Sequence, residues 1–581
     1  MGQGKLRVSR PRRRLLVGVT AGITALPACT QAPDADPPLT RLSRAIGWSP
    51  LPAIVGDFIG PSLQVGHKLR EVTTPTSSPA RHVAVAIVGG GVAGLSAARA
   101  LRRAGIDDYR LFELDNSVGG NSRAGTLAGF ACPWGAHYLP APDLSGQSKN
   151  SELIELLREC DLIKGQGAEA RFADEALCHA PQERLLLNGQ WQSGLLPIDG
   201  MRDATLAQYR RFSELIEGFR SGGQFQIPSQ PLTIVPNGDR NSAAADSSQQ
   251  QALLLLERIS FDAWLNQQGL HDHHLRWYLD YCCRDDYGVA SAGVSAWAGI
   301  HYFASRHGFE LQPANSNNEP VAHLLTWPQG NAWLTDRLAQ VHRDKTSRHS
   351  LVRRIEHSDQ AKSVLQVWVA DENRHENWSA DFVIVATPLY IAAHLLSPLP
   401  LALAALLPKL NYSAWQVANV HLAALPAEKL GAPLSWDNVV FGGDSLGYVD
   451  ATHQLLRSHK TEAVWTCYRA LGADAQARRQ LHDRSWRDAA QSVLNDLRPA
   501  YPDIERHVRR IDIVRWGHGM VVPAPGLRSD EALFALRNLG QRIVLAHSDL
   551  AAYSVFEEAF AMGSRAGRRI AQALSGSRTP R

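Results

Sequence analysis

The chain has 581 residues, 44% hydrophobic and 20% charged. That length suits more than one folding unit, and the balance is that of a packed globular protein rather than a disordered or fibrous one. No uninterrupted apolar run reaches membrane-span length, which excludes a multi-pass membrane protein. The formal net charge is +4, yet residues 1–28 hold six basic side chains and no acid. The remainder is therefore slightly negative and carries no footprint for nucleic acid.

Residues 1–29 read as an export signal. Arg12-Arg13-Arg14-Leu15-Leu16 leads into a mildly apolar run of 12 residues, Leu15 to Leu26, too short to span a bilayer as a helix. Paired arginines before Leu-Leu resemble a twin-arginine leader, which implies the twin-arginine export machinery as a partner and a periplasmic or cell-envelope location. Leu26-Pro27-Ala28-Cys29 resembles a lipoprotein box, in which a lipidated Cys29 would tether the protein to a membrane; Pro27 is unusual there. The other six cysteines, Cys132, Cys160, Cys178, Cys282, Cys283 and Cys467, show no CxxC and no zinc spacing, so no metal is expected.

Residues 30–81 form a linker and packing segment. Pro37 and Pro38 lie in its tether-like start, and Trp48, Phe58 and Leu63 predict packing on the body. Ordered α/β punctuation begins near residue 82. Residues 83–88 are a continuous apolar run of buried-strand type. Gly89-Gly90-Gly91-Val92-Ala93-Gly94 follows at once as G-x-G-x-x-G, then a helical pattern to Gly105, then a strand over 109–112 ending at Glu113. Each part has a physical reason. Gly89 permits the turn, Gly91 admits a pyrophosphate to the backbone, and Gly94, after Ala93, lets helix pack on strand. The helix start offers free N–H groups to phosphates, and Glu113 accepts from ribose hydroxyls. This strand–loop–helix–strand–acid register predicts a dinucleotide site.

Asn116-Ser117-Val118-Gly119-Gly120-Asn121-Ser122-Arg123 and Gly135-Ala136-His137-Tyr138 come next. Polar, low-complexity residues 237–251 predict a mobile surface insertion, with helical periodicity resuming at 252. Residues 280–287 join three acids, Asp280, Asp285 and Asp286, to Tyr281 and Tyr287. Trp327-Pro328-Gln329-Gly330-Asn331 opens a helix to about His342. Strands are expected over 351–355, 381–386 and 542–546, and Arg515-Trp516-Gly517-His518 lies between the last two. Ser554 with Glu557 three residues on fits a capping box opening a helix to about Leu574.

These pieces, in this order, resemble the flavin-containing amine oxidase superfamily, which includes phytoene-desaturase-like enzymes. The resemblance implies a Rossmann-type FAD domain interleaved with an α+β substrate domain. The FAD parts would be 82–150, 325–395 and 535–576, and the substrate parts 151–324 and 396–534. It implies that Gly119, Gly120, Asn121 and Arg123 run along the FAD pyrophosphate. Gly-Gly-Asn replaces the usual Gly-Gly-Arg, and whether Arg123 substitutes for that arginine is open. Gly135, Ala136 and His137 would approach the cofactor and Val352 the adenine. Asp549 would lie near the ribityl and phosphate chain, despite His547-Ser548 in a region usually holding glycine. The helix start with Val555 and Phe556 would face the flavin, and Tyr138, Asp285, Trp516 and His518 would touch substrate. His421, Trp436 and Tyr448 are further pocket candidates.

No cysteine lies between Asp549 and Glu557, so non-covalent FAD is expected. With one complete G-x-G-x-x-G unit, NADH is not the expected donor. A small organic substrate, an amine by preference, would be oxidised by hydride transfer to flavin N5. Oxygen, a quinone or a redox protein would take the electrons. Lys409, Lys429 and Lys460 lack the context of the family's lysine near N5, which leans toward a dehydrogenase. The alternatives are a desaturase or isomerase of an apolar substrate, and a non-catalytic flavin-binding partner of an envelope complex.

Overall fold

The computed structural model describes residues 53–71, 80–144, 151–232, 243–309, 311, 324–358 and 361–576. The leader, Cys29 and the linker up to residue 52 lie outside them. The architecture is α/β, built on two eight-stranded sheets.

The first sheet starts from the apolar strand Arg81–Val88, which pairs in parallel with Tyr109–Phe112 on one side and Arg374–Val385 on the other. Ile543–Leu545 joins Arg374–Val385 in parallel, while Ser363–Val369 and Ser350–Glu356 continue antiparallel. Alternation along Arg81–Val88 sends Val85 and Ile87 to one face and Ala86 and Val88 to the other, and both faces are covered. One cover is the helix Val92–Arg103 crossed by the C-terminal helix Phe556–Gly576. Gly563 and Gly567 permit the crossing: a Cβ at Gly563 would stand 2.0 Å from the carbonyl oxygen of Ala93.

The second sheet is set by the long strands Tyr412–Leu422 and Val508–Val521, paired antiparallel, with Ala463–Ala470 beyond. It continues through Tyr448–Asp450 and Asp437–Val440 to Glu183–Leu187 and Gln190–Ser193. Helices including Asp203–Ser221 and His273–Tyr287 close an aromatic-rich core on it. The helix Ala243–Arg258 begins nine residues before the periodicity resumes, so the polar Ser247–Gln251 stretch is helical rather than loop.

Residues 53–71 form a strap between the sheets. Phe58–Ile59 pairs in parallel with Val508–Val521. Beyond it the Ser62 N–H donates to Asp115 Oδ1 at 3.2 Å. Arg353 Nη2 donates to the carbonyls of Lys68 and Glu71 at 3.0 and 2.7 Å. The strap thus docks beside the Glu113–Asp115 turn.

Candidate active site

The glycine loop and the Gly119-Gly120 turn meet backbone to backbone. Gly119 N–H donates to the Gly90 carbonyl at 2.8 Å, and Gly91 bridges Gly119. Gly89 (φ +104°) and Gly119 (φ +117°) hold the left-handed backbone that favours glycine. A Cβ on Gly94 would come within 1.9 Å of the Gly89 carbonyl oxygen, whereas one on Gly91 would meet only Gly120 Cα, at 3.8 Å. The loop is therefore tight beneath and open above. Gly91 caps Val92–Arg103 without a side-chain bond, so the first N–H groups, including that of Ala93, stay available.

Glu113 ends its strand with Oε2 accepting from Gly90 N–H at 2.9 Å and Oε1 from Asp115 N–H at 2.9 Å. Burial pushes its carboxyl above the usual range, against those two N–H groups and Arg123. Ser350 N–H donates to the Glu113 carbonyl at 2.8 Å, which sets Ser350–Glu356, with buried Val352, beside this turn. Open glycine backbone, an uncapped helix start and a carboxylate at the strand end form a cradle that fits an adenine dinucleotide.

The Gly135-Ala136-His137 segment returns against Asn121, whose carbonyl accepts from Ala136 N–H at 3.0 Å. Asn121 Nδ2 donates to the Gly519 carbonyl at 2.5 Å, tying this turn to the second sheet. Arg123 is buried beside the turn. Nη1 pairs with Asp115 at 2.8 Å and Nε donates to the Gly120 carbonyl at 3.0 Å. It thus braces the turn from beneath, its guanidinium near the rings of Trp134 and Trp516.

The C-terminal elements differ from the capping-box expectation. Ser554 Oγ accepts from Val521 N–H at 3.1 Å, and the helix begins at Phe556. Ser554 therefore joins the end of Val508–Val521 to the helix start instead of capping it. Glu557 lies 3.4 Å from buried Arg306 and is spent on that ion pair. Phe556 packs in the core with Val92 and Ala93, while partly exposed Val555 faces the other core.

Asp549 is fully buried. Its Oδ2 accepts from Leu389 N–H at 2.8 Å and from the Tyr412 hydroxyl at 2.5 Å. Burial alone would raise its carboxyl; His547, Tyr412 and Leu389 N–H outweigh it and hold it below the usual range. Asp549 thus ties the strand end to the Leu389–Leu395 helix, and its side chain points into protein.

The four substrate candidates divide. Tyr138 and Asp285 meet, the hydroxyl donating to Oδ2 at 3.4 Å. Trp516 donates instead to the Trp134 carbonyl at 2.7 Å, beside Arg123. His518 stacks on Tyr390 at 4.4 Å, and burial lowers its imidazole to about 4. Trp516 and His518 belong to the junction between the sheets. Of the other candidates, Trp436 joins Tyr138, with rings 6.1 Å apart. Tyr448 is locked to Arg184 and Tyr501, and His421 pairs with Glu462 at 3.1 Å.

Tyr138 and Asp285 belong to a cluster of rings and acids. His137 lies 4.5 Å from Tyr468, 5.0 Å from Tyr138 and 5.5 Å from Trp436. Burial lowers its imidazole to about 3, so it is neutral. Asp286 is consumed by Arg306 Nη1 at 2.7 Å, whereas Asp285 forms no ion pair among the described residues. Burial, reinforced by Asp286, raises the Asp285 carboxyl to about 7. Asp437 is raised well above its ordinary value by burial and by the fields of Asp285 and Glu183. Glu183, Asp437 and Tyr468 lie in no motif; the signal for them is an acid opening the strand Asp437–Val440, next to Trp436. Lys409 pairs with Asp530 at 2.5 Å and Lys460 lies 3.9 Å from Asp450, both away from these rings.

The doubly covered mixed sheet and its cradle define a dinucleotide-binding protein. The chain belongs to the family of flavin-containing amine oxidoreductases, whose model matches residues 92–571. FAD is the cofactor of this family. The structure is similar to putrescine oxidase bound to putrescine, with 16% identity, a TM-score of 0.58 and coverage of 86% of this chain and 100% of that one. Cyclohexylamine oxidase from Brevibacterium oxydans is 16% identical, with a TM-score of 0.59 over 85% of this chain and 99% of that one. A fatty acid isomerase from P. acnes, also 16% identical, has a TM-score of 0.53 over 84% and 98%. These likenesses concern the fold. A Baeyer-Villiger monooxygenase from Pseudomonas aeruginosa is 46% identical over 65 residues, 11% of this chain and 12% of that protein.

Proposed function

We propose that the protein is an exported FAD-dependent oxidoreductase that oxidises an organic amine. One observation carries the substrate class: Asp285, with no ion pair among the described residues, meets Tyr138, whose ring neighbours Trp436 and His137. A carboxylate among aromatic faces attracts an ammonium group by charge and by the ring quadrupoles. The names of the amine-oxidising structural neighbours favour the same class.

Gly91, Gly119, Gly120 and the start of Val92–Arg103 would hold the pyrophosphate, Glu113 the ribose, and Asn121 and Val555 would border the flavin. When bound, FAD supplies the hydride acceptor. The protein supplies orientation: Asp285 holds the amine, and the rings exclude water and fix its approach. No protein nucleophile is required. Electrons leave to oxygen, a quinone or a redox protein.

Anaerobic mixing of the holoprotein with a panel of amines should bleach the flavin. Asp285→Asn should raise the half-saturating amine concentration about tenfold or more, with less effect on the limiting rate. The isomerase neighbour favours a second reading, an apolar substrate. Bleaching or isomerisation with unsaturated fatty acids, and none with amines, would establish it. Export is tested by changing Arg12, Arg13 and Arg14 to lysine together, which should retain folded protein in the cytoplasm. Labelled fatty acid in wild type but not Cys29→Ala would establish the lipid tether.

A further inference from the structure

Arg537 ends the helix Glu531–Leu536 and is 7% exposed. Its Nε donates to the Leu550 carbonyl at 2.7 Å, and among the described residues no carboxylate pairs with its guanidinium. Arg537 also lines two crevices. The larger crevice, about 190 Å³, lies between the 228–231 loop and the C-terminal helix, with Arg537 inside it and Arg565 and Arg568 on its wall. Arg565 and Arg568 are exposed at the rim. Arg565 reaches Asn538 Oδ1 at 3.4 Å, and Arg568 pairs with Glu152.

Buried Arg528, whose Nη1 donates to the Ala551 carbonyl at 2.7 Å, adds positive field from behind. The nearby acid is Glu558, already accepting from Ser229 N–H at 2.6 Å and the Tyr553 hydroxyl at 2.5 Å. Burial, then Arg528, lowers Arg537 to about 9, with Glu558 opposing. A buried guanidinium is ordinarily matched by a carboxylate, because leaving it unpaired is costly. Here the match is missing and a cavity stands in its place. By the same measure one water needs only about 10–15 Å³, so the space takes a group of several heavy atoms.

We propose that this crevice is a binding site for a phosphate group, with Arg537 as its floor and Arg565 and Arg568 as its rim. A guanidinium fork donates two parallel N–H bonds to a tetrahedral oxyanion, and the phosphate's several oxygens can answer more than one arginine. The group arrives free or on a small metabolite, or as the headgroup of an anionic lipid. The site lies behind the first sheet, on the outer face of the C-terminal helix, and is independent of the amine reading.

The test uses the full-length FAD-loaded protein. Inorganic phosphate is titrated against chloride at matched ionic strength, by calorimetry and thermal melting, and vesicles of phosphatidylglycerol are tested against phosphatidylcholine. Wild type should show saturable phosphate binding, weakened about tenfold or more in Arg565→Gln and lost in Arg537→Met. The apolar isostere keeps the test sound. Arg537→Met should melt at or above wild type without phosphate, as expected when an unpaired buried charge is removed, and should gain nothing when phosphate is added. Saturable phosphate binding assigns a soluble ligand. Retention on phosphatidylglycerol alone, abolished by Arg565→Gln, assigns the headgroup. No saturable binding in either arm, or binding unchanged in both variants, overturns the site.

Discussion

At the scale of single residues, Asp285 and Asp286 are neighbours with opposite fates. Arg306 holds Asp286 in a buried pair, while Asp285 accepts from the Tyr138 hydroxyl and forms no ion pair among the described residues. With its carboxyl raised to about 7, Asp285 is protonated over much of the acid range. A cationic amine needs the carboxylate, so kcat/KM for an amine should fall below about pH 7. Asp285→Asn should flatten that limb at a lower plateau. The stability sign is the reverse of the usual one. Native Asp285 keeps its proton between its ordinary value of 3.8 and about 7, so it destabilises the fold as pH rises through that window. Asp285→Asn should therefore raise Tm at neutral pH, and melts at acidic pH should show the difference vanish. The pair was legible as adjacent acids beside tyrosines; which one pairs depends on Arg306, 20 residues further on and without a motif of its own.

Among elements, the junction between the sheets carries the closest dependence. Val521 N–H ends its strand on Ser554 Oγ, just before the C-terminal helix. Ser554→Ala leaves that N–H unpaired, a loss of about 1–3 kcal/mol if it stays dry. Urea unfolding of the apoprotein should show this, together with a shift in the visible flavin spectrum of the holoprotein. A variant that alters neither would mean the junction does not border the ring. The strap tests a second dependence. Arg353→Ala frees the carbonyls of Lys68 and Glu71 beside the Glu113–Asp115 turn. It should speed FAD release several-fold, measured by fluorescence recovery on dilution, with little change in secondary structure by circular dichroism. The strap appeared in the sequence only as scattered aromatics; its docking depends on edges that other segments supply.

At the scale of the whole molecule, cofactor and fold are linked. A ligand held only by the native state stabilises it by about 2.7 kcal/mol at one hundred times its dissociation constant. Adding FAD to apoprotein should raise Tm, and Glu113→Ala should shrink the shift because affinity falls about ten- to a hundredfold. An unchanged shift would mean that Glu113 serves only its backbone partners, Gly90 and Asp115. The same linkage would give the proposed folded export its rationale: a chain threaded unfolded would leave behind a cofactor that its own closure retains.

The sequence by itself determined the dinucleotide half of the molecule. Strand, glycine loop, helix and acid are contiguous over 83–113, and local chemistry dictates each: an apolar run buried on both faces, glycines where backbones meet, a carboxylate at a strand end. The expected strands over 351–355, 381–386 and 542–546 are present for the same reason. Only the tertiary structure decided the rest. Ser554 and Glu557 have the spacing of a cap, but a distant N–H and a buried arginine compete for them more strongly. Asp549 reads as a cofactor acid until Leu389 and Tyr412 surround it. The cluster of His137, Glu183, Asp285, Asp437 and Tyr468 draws on segments up to hundreds of residues apart. Burial and pairing set the charge of each of these groups, and both are fixed only when the sheets close on one another.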